Sequence, residues 1–125
     1  MSPKRILIVD DEDDIREVAQ VSLELVGNYV VLTASNGHDG VAAARNEQPD
    51  AILLDVMMPG MDGPTTLAQL RADPATRNIP VVFLTAKTQS AERSRLAQLG
   101  AAAILTKPFD PLKLATEVAS ALHWT

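Results

Sequence analysis

The 125-residue sequence contains no cysteine. That excludes a disulfide framework, a thiolate metal site and a cysteine nucleophile, and it agrees with a reducing, cytoplasmic setting. Aromatic residues are scarce, with one Trp, one Tyr and two Phe, too few for platforms on which nucleic-acid bases stack. No apolar run approaches the roughly 18 residues of a transmembrane helix. The run Ile6 to Val9 is too short for a signal-peptide core and ends in acid. Positive charge is also in deficit, leaving a net charge of -5. The deficit is concentrated in residues 1–62, where twelve acidic and four basic side chains give -8, while residues 63–125 carry +3. Nucleic-acid affinity rests on Lys and Arg neutralising phosphates, so direct nucleic-acid binding is not expected. With 46% hydrophobic and 22% charged residues, the composition is that of an ordinary globular protein. Residues 1–125 read as one domain, with no linker and no output domain among them.

What is present is a repeated unit. Ala51-Ile52-Leu53-Leu54 runs without a polar break and stops at Asp55. A short apolar run of this kind reads as a strand buried on both faces, as in a parallel sheet. Ile6 to Val9 does the same before Asp10 and Asp11, and Val81 to Leu84 before Thr85. Ala102 to Leu105 does so before Thr106 and Lys107. Tyr29 to Thr33, β-branched and aromatic, supplies another strand.

Helical segments lie between the strands. Ile15, Val18, Ala19, Ser22, Leu25 and Val26 recur at helical spacing after the acids Asp11 to Asp14, whose charges suit a helix N-terminus. Gly27-Asn28 ends that helix. Asn36, with Asp39 three residues on, opens a second helix in a capping-box-like arrangement running to about Glu47. Pro64 suits the first turn of a third, stopped at Asp73-Pro74. Ser90 to Leu99 predicts a fourth, weakly buried because Leu96 and Leu99 are its only large apolar residues. Asp110 and Pro111 open a fifth, with Leu114, Ala115, Val118 and Leu122 inward. Five strands alternating with five helices predict an α/β fold, a doubly wound (βα)5 parallel sheet with helices on both faces.

Parallel strands place their C-terminal ends on one rim, where open α/β sheets bind ligands. Asp10, Asp11, Asp55, Thr85 and Lys107 would meet there. Three carboxylates together repel and raise at least one pKa. A divalent cation with a taste for oxygen, such as Mg2+, removes the repulsion, and a loop carbonyl after Asp55 could add a further ligand. Asp55 is also a candidate nucleophile, since carboxylates attack phosphoryl groups to give an aspartyl phosphate. Lys107 and Thr85 could then hold phosphoryl oxygens. Glu12, Asp13 and Asp14 read as ordinary helix-start acids, and His38 and His123 receive no role. Met57, Met58 and Met61 read as loop packing, and Trp124 as packing on the last helix or a partner contact.

Four features in this order resemble the response-regulator receiver domain of two-component signalling: Asp10-Asp11, the block Leu54 to Gly63, Thr85-Ala86, and Lys107-Pro108-Phe109. The resemblance spans essentially the whole chain. It implies the flavodoxin-like strand order 2-1-3-4-5 and a switch that is not a conventional enzyme but catalyses its own Mg2+-dependent phosphorylation and dephosphorylation. Asp55 would accept the phosphoryl group from a histidine kinase or histidine phosphotransfer protein. Asp11 would ligate Mg2+ directly and Asp10 through water, with Asp55 and the Met57 backbone carbonyl completing the protein ligands. Lys107, with a cis bond to Pro108, would pair with the phosphoryl group. Thr85 would move toward it and reshape the face of the fourth helix, fifth strand and fifth helix. That face would control a downstream protein target or output domain, or a homodimer. Met57 and Lys87 stand where similar proteins tune the lifetime of the phosphoryl group. The sequence departs from the family at Ile104, where Tyr or Phe is common.

Other readings share parts of this pattern. A flavodoxin-like cofactor binder needs a Ser/Thr/Gly-rich phosphate loop after the first strand, and this chain has Asp10 to Asp14 there. A haloacid-dehalogenase-type phosphatase needs a second Asp two residues after its nucleophile, where Met57 stands. The remaining alternative is a receiver-fold binding module that acts without phosphorylation.

Overall fold

The computed structural model describes residues 3–86 and 89–124. The apolar runs form β1 (Arg5–Val9), β2 (Val30–Ala34), β3 (Ala51–Asp55), β4 (Val81–Thr85) and β5 (Ala103–Thr106). Between and after them lie α1 (Asp13–Leu25), α2 (Gly37–Glu47), α3 (Gly63–Ala72), α4 (Ser90–Ala97) and α5 (Leu114–Ala121). All neighbouring strand pairs are parallel, in the order β2-β1-β3-β4-β5. This is the doubly wound α/β architecture and strand order expected from the sequence and the resemblance.

Alternation along the strands divides the core into two layers. Leu7, Val9, Ile52, Leu54, Val81 and Phe83 pack with Ala44, Leu67, Leu70 and Leu96 from α2, α3 and α4. Ile6, Ile8, Leu53, Val82 and Leu84 pack on the other side with Ala19, Leu23, Leu114 and Val118 from α1 and α5. The uninterrupted apolar runs of β3 and β4 are buried along their whole length, and β1 all but its first residue. β5 is only half buried throughout. The apolar run predicts a buried strand, but β5 lies at the edge of the sheet and pairs on one side only, with β4.

Register sets the rim. Val9 pairs with Leu54, Asp55 with Leu84, and Thr85 with Thr106, so the residues that follow β1 and end β3 and β4 stand side by side. Local chemistry fixes the helix starts. The Asn36 side chain accepts a hydrogen bond from the Asp39 N–H at 2.8 Å, and its amide donates to the Asp39 carboxylate at 3.0 Å. Asp62 caps α3 by accepting from the Thr65 N–H at 2.8 Å, and Pro64 occupies the first turn.

Two helices differ from expectation. α1 buries Ala19, Ser22 and Leu23, while Val18, Leu25 and Val26 are exposed. The spacing predicts one apolar face through Ile15, Val18, Ala19, Ser22, Leu25 and Val26, but a second stripe through Leu23 meets the sheet with Ala19 and Ser22, which turns Val18, Leu25 and Val26 outward. α5 begins at Leu114 rather than after Asp110. The Asp110 carboxylate accepts from the Leu112 N–H, and its carbonyl accepts from Lys113 and Leu114. Asp110 and Pro111 therefore build a separate lead-in turn. Trp124 packs edge-to-face on Tyr29 with ring centroids 5.7 Å apart, and Lys4 Nζ lies 5.2 Å from its ring centre.

Candidate functional site

The site is assembled from the C-terminal ends of β1, β3, β4 and β5. Asp10 follows β1 and is fully buried, held by its neighbours on both oxygens. The Glu12 N–H donates to Asp10 Oδ1 at 2.8 Å, and Lys107 Nζ donates to Oδ2 at 3.0 Å. Arg16 reaches back from α1 and donates to the Asp10 carbonyl at 2.7 Å. This ties the loop between β1 and α1 to its own helix.

Asp55 ends β3 with only 2% of its surface exposed. Lys107 Nζ lies 3.2 Å from its Oδ1, and the Met57 N–H is 3.4 Å from the same oxygen. Its other oxygen, Oδ2, is buried and has no hydrogen-bond partner among the described residues; the same holds for Asp11 Oδ1. Asp10, Asp11 and Asp55 each present an oxygen within 4.8 Å of those of the other two. A buried polar atom without a partner is costly, and here two such atoms belong to residues of the same carboxylate cluster.

Electrostatics follow from this crowding. Burial, and then the neighbouring Asp10 carboxylate, push the Asp55 carboxyl up from 3.8 to about 6, against the opposing pull of Lys107. Burial works to lower the Lys107 ammonium, but its hydrogen bond to Asp10 and the charges of Asp55 and Asp10 outweigh it, so its pKa rises. The lysine stays charged and can offset about one of the three acids. The arrangement therefore fits a cation with oxygen preference. Asp11, Asp55 and Asp10 are hard donors, no His or Cys belongs to the cluster, and the two unpartnered oxygens supply the sites.

The loop after β3 folds back against the strand end that carries Asp55. The Gly63 N–H donates to the Val56 carbonyl at 2.9 Å. A Cβ on Gly63 would stand 2.5 Å from the Asp55 carbonyl oxygen and 2.8 Å from the Val56 Cα, so the chain can return this close only with glycine. Met58 and Met61 are buried in the loop, as loop packing requires, while Met57 is exposed at the mouth. Thr85 ends β4 fully buried, and its carbonyl accepts from the Lys107 N–H at 2.8 Å. The Lys107–Pro108 bond is cis. Lys87 lies outside the described residues.

The structure thus brings Asp10, Asp11, Asp55 and Lys107 into one cluster, with Thr85 at the neighbouring strand end. It adds one residue that reasoning from the sequence set aside. Glu12 precedes α1 but makes no side-chain cap; its Oε1 lies 3.4 Å from Lys107 Nζ instead. Beyond the rim, Arg93 of α4 donates to Thr106 Oγ1 at 3.0 Å and to the Ile104 carbonyl at 3.3 Å. Leu96 is the one buried residue of that helix, and it and this arginine tie the helix to the sheet.

Comparison with known proteins gives a consistent picture. The profile of the response regulator receiver domain family matches residues 6–119. The chain is 40% identical over 125 residues to the phosphate regulon transcriptional regulatory protein PhoB of Pseudomonas aeruginosa, covering 100% of this chain and 54% of PhoB. It is 46% identical over 118 residues to the response regulator PleD of Caulobacter vibrioides, covering 93% of this chain and 25% of PleD. The chain therefore spans about half or less of these curated relatives. Among solved structures, the chemotaxis protein CheY4 of Vibrio cholerae superposes with a TM-score of 0.88 at 29% identity, over 96% of this chain and 99% of that one.

Proposed function

Because this chain belongs to the response regulator receiver domain family, we propose that it is a phosphorylation-dependent signalling switch whose acceptor is Asp55. The observation that carries the reading is the Asp55 carboxylate: buried, held on one oxygen by Lys107, and unpartnered on the other. At neutral pH a carboxyl titrating at about 6 is mostly ionised, and an ionised carboxylate can act as a nucleophile toward a phosphoryl group.

In the proposed step an Asp55 oxygen forms a bond to phosphorus as the bond from phosphorus to the donor imidazole nitrogen breaks. The electron pair of that bond stays on the nitrogen, which takes a proton. The donor is the phosphohistidine of a histidine kinase or of a histidine phosphotransfer protein. Phosphoryl transfer depends on positioning and charge neutralisation more than on acid–base chemistry. Asp10, Asp11, Asp55 and the Met57 carbonyl would hold Mg2+, which supplies charge neutralisation on the phosphoryl oxygens when bound. Lys107 offers its ammonium to one oxygen, and Thr85 its hydroxyl to another.

The consequence of phosphorylation falls on α4, β5 and α5. α4 is weakly anchored, and elements with few buried contacts are those that move at low cost. Altered contacts on this face would control a protein target, an attached output domain or self-association. Switching here proceeds with Ile104 in place of an aromatic residue, so the response of β5 runs through Thr85 and its paired neighbour Thr106.

Intact-mass measurement after incubation with acetyl phosphate tests the reading. The expected result is one phosphoryl group gained in Mg2+, none in EDTA, and none in Asp55→Asn. Failure of the wild type to gain a phosphoryl group from either acetyl phosphate or a phosphorylated histidine kinase would favour a binding module that works without phosphorylation.

A further inference from the structure

Lys107 has three N–H bonds to give and three carboxylates around it. Asp10 Oδ2 lies at 3.0 Å, Asp55 Oδ1 at 3.2 Å and Glu12 Oε1 at 3.4 Å. The Lys107 side chain is 9% exposed and those of Asp10 and Asp55 are buried, but the Glu12 side chain is 60% exposed. Glu12 is thus the longest, the outermost and the most readily displaced of the three partners. Its backbone is fixed, because its own N–H is bonded to Asp10 at 2.8 Å. The carboxylate therefore stands at the mouth of the pocket.

Resting on the reading of Asp55 as phosphoryl acceptor, we infer that Glu12 is a positioning residue: a tether that holds Lys107 at the mouth and is displaced by the arriving phosphoryl oxygen. Lys107 donates to Asp10 and Glu12 and forms an ion pair with Asp55, so a new anion at the ammonium competes with the partners already there. Asp10 and Asp55 are buried at the rim and cannot swing into water. Glu12 can swing into water, where its charge is solvated at little cost. The tether thereby sets how tightly the pocket holds a phosphoryl group, since that group must compete with Glu12 for the ammonium. This assigns a function to an acid that otherwise reads as part of a helix-start run.

The test is the affinity for beryllofluoride, an anionic phosphoryl mimic, in Mg2+. In Glu12→Gln the competitor is gone, and affinity rises roughly two- to five-fold, the size of a half-exposed ion pair. Glu12→Asp keeps the charge but is one methylene too short to span the contact, and it shifts affinity in the same direction. Asp14→Asn removes an equal charge from the first turn of α1, outside the ion pairs of Lys107. Its effect is smaller and disappears at high salt, as expected of a screened exposed charge. Wild-type affinity in Glu12→Asp with a gain only in Glu12→Gln would reduce Glu12 to a local charge and overturn the tether. Unchanged or weaker binding in both Glu12 variants would overturn it as well. A wild type that neither binds beryllofluoride nor takes up a phosphoryl group would overturn the acceptor reading itself, and the tether with it.

Discussion

Replacing Asp55 by Asn should make the cation-free protein more stable. The wild-type carboxyl titrates at about 6 instead of 3.8 because burial and Asp10 oppose its charge. Holding it ionised at neutral pH therefore costs about 3 kcal/mol relative to an unperturbed carboxylate. Water reaching the mouth of the pocket screens part of this, and the variant also loses the 3.2 Å ion pair with Lys107. Lys107 keeps Asp10 and Glu12, so the expected net gain is about 1–2 kcal/mol. The sign with pH is fixed. A carboxyl whose folded pKa is raised contributes stability that is present below 3.8 and lost as pH rises through about 6. Wild type and variant should therefore converge as pH falls from neutral toward about 4. Subtracting the two removes the contributions of the acids that lie away from Asp55. The assay is urea unfolding in EDTA across that range, followed at neutral pH by titration with Mg2+. The cation should stabilise the wild type more than the variant and shrink or reverse the difference. A variant less stable than wild type at neutral pH in EDTA, or a difference independent of pH, would refute the reasoning about the acidic cluster.

Further outcomes follow from individual contacts. Gly63→Ala places a Cβ 2.5 Å from the Asp55 carbonyl oxygen; unfolding should show a loss of about 1–3 kcal/mol and mass analysis slower phosphorylation. Lys107→Met removes the group that draws the Asp55 carboxyl down, so Asp55 should titrate higher by NMR, and the rate of phosphoryl uptake should fall on the order of 100-fold. Leu96→Ala empties the one buried position of α4 at about 2–5 kcal/mol, and hydrogen exchange should show α4 amides opening ahead of those in β3 and β4.

The three central strands, β1, β3 and β4, could be read from the sequence because they are buried on both faces. Burial of that kind leaves an unbroken apolar run with a polar stop, as at Asp55, Thr85 and Asp10. The rim cluster was legible for the same reason: strand ends that are level in a parallel sheet bring their next residues together. Where a helix carries two apolar stripes, as α1 does with Leu23 on one and Val18 and Leu25 on the other, periodicity is ambiguous and only packing decides. The late start of α5 reflects competition between the Asp110 side chain and helical hydrogen bonding. The Glu12–Lys107 contact joins residues 95 positions apart, and nothing local to Glu12 signals it. Its neighbours Asp13 and Asp14 are equally acidic, and only Glu12 lies beside the lysine.

The central claim is that Asp55 is the acceptor, and the most direct test is to find the residue that carries the phosphoryl group. Borohydride reduces an aspartyl phosphate to homoserine, which survives proteolysis and is located by tandem mass spectrometry. After incubation with acetyl phosphate and Mg2+, homoserine should appear at position 55 in the wild type and at no position in Asp55→Asn. Homoserine at position 10 or 11 in the wild type, or label retained in Asp55→Asn, would contradict the account.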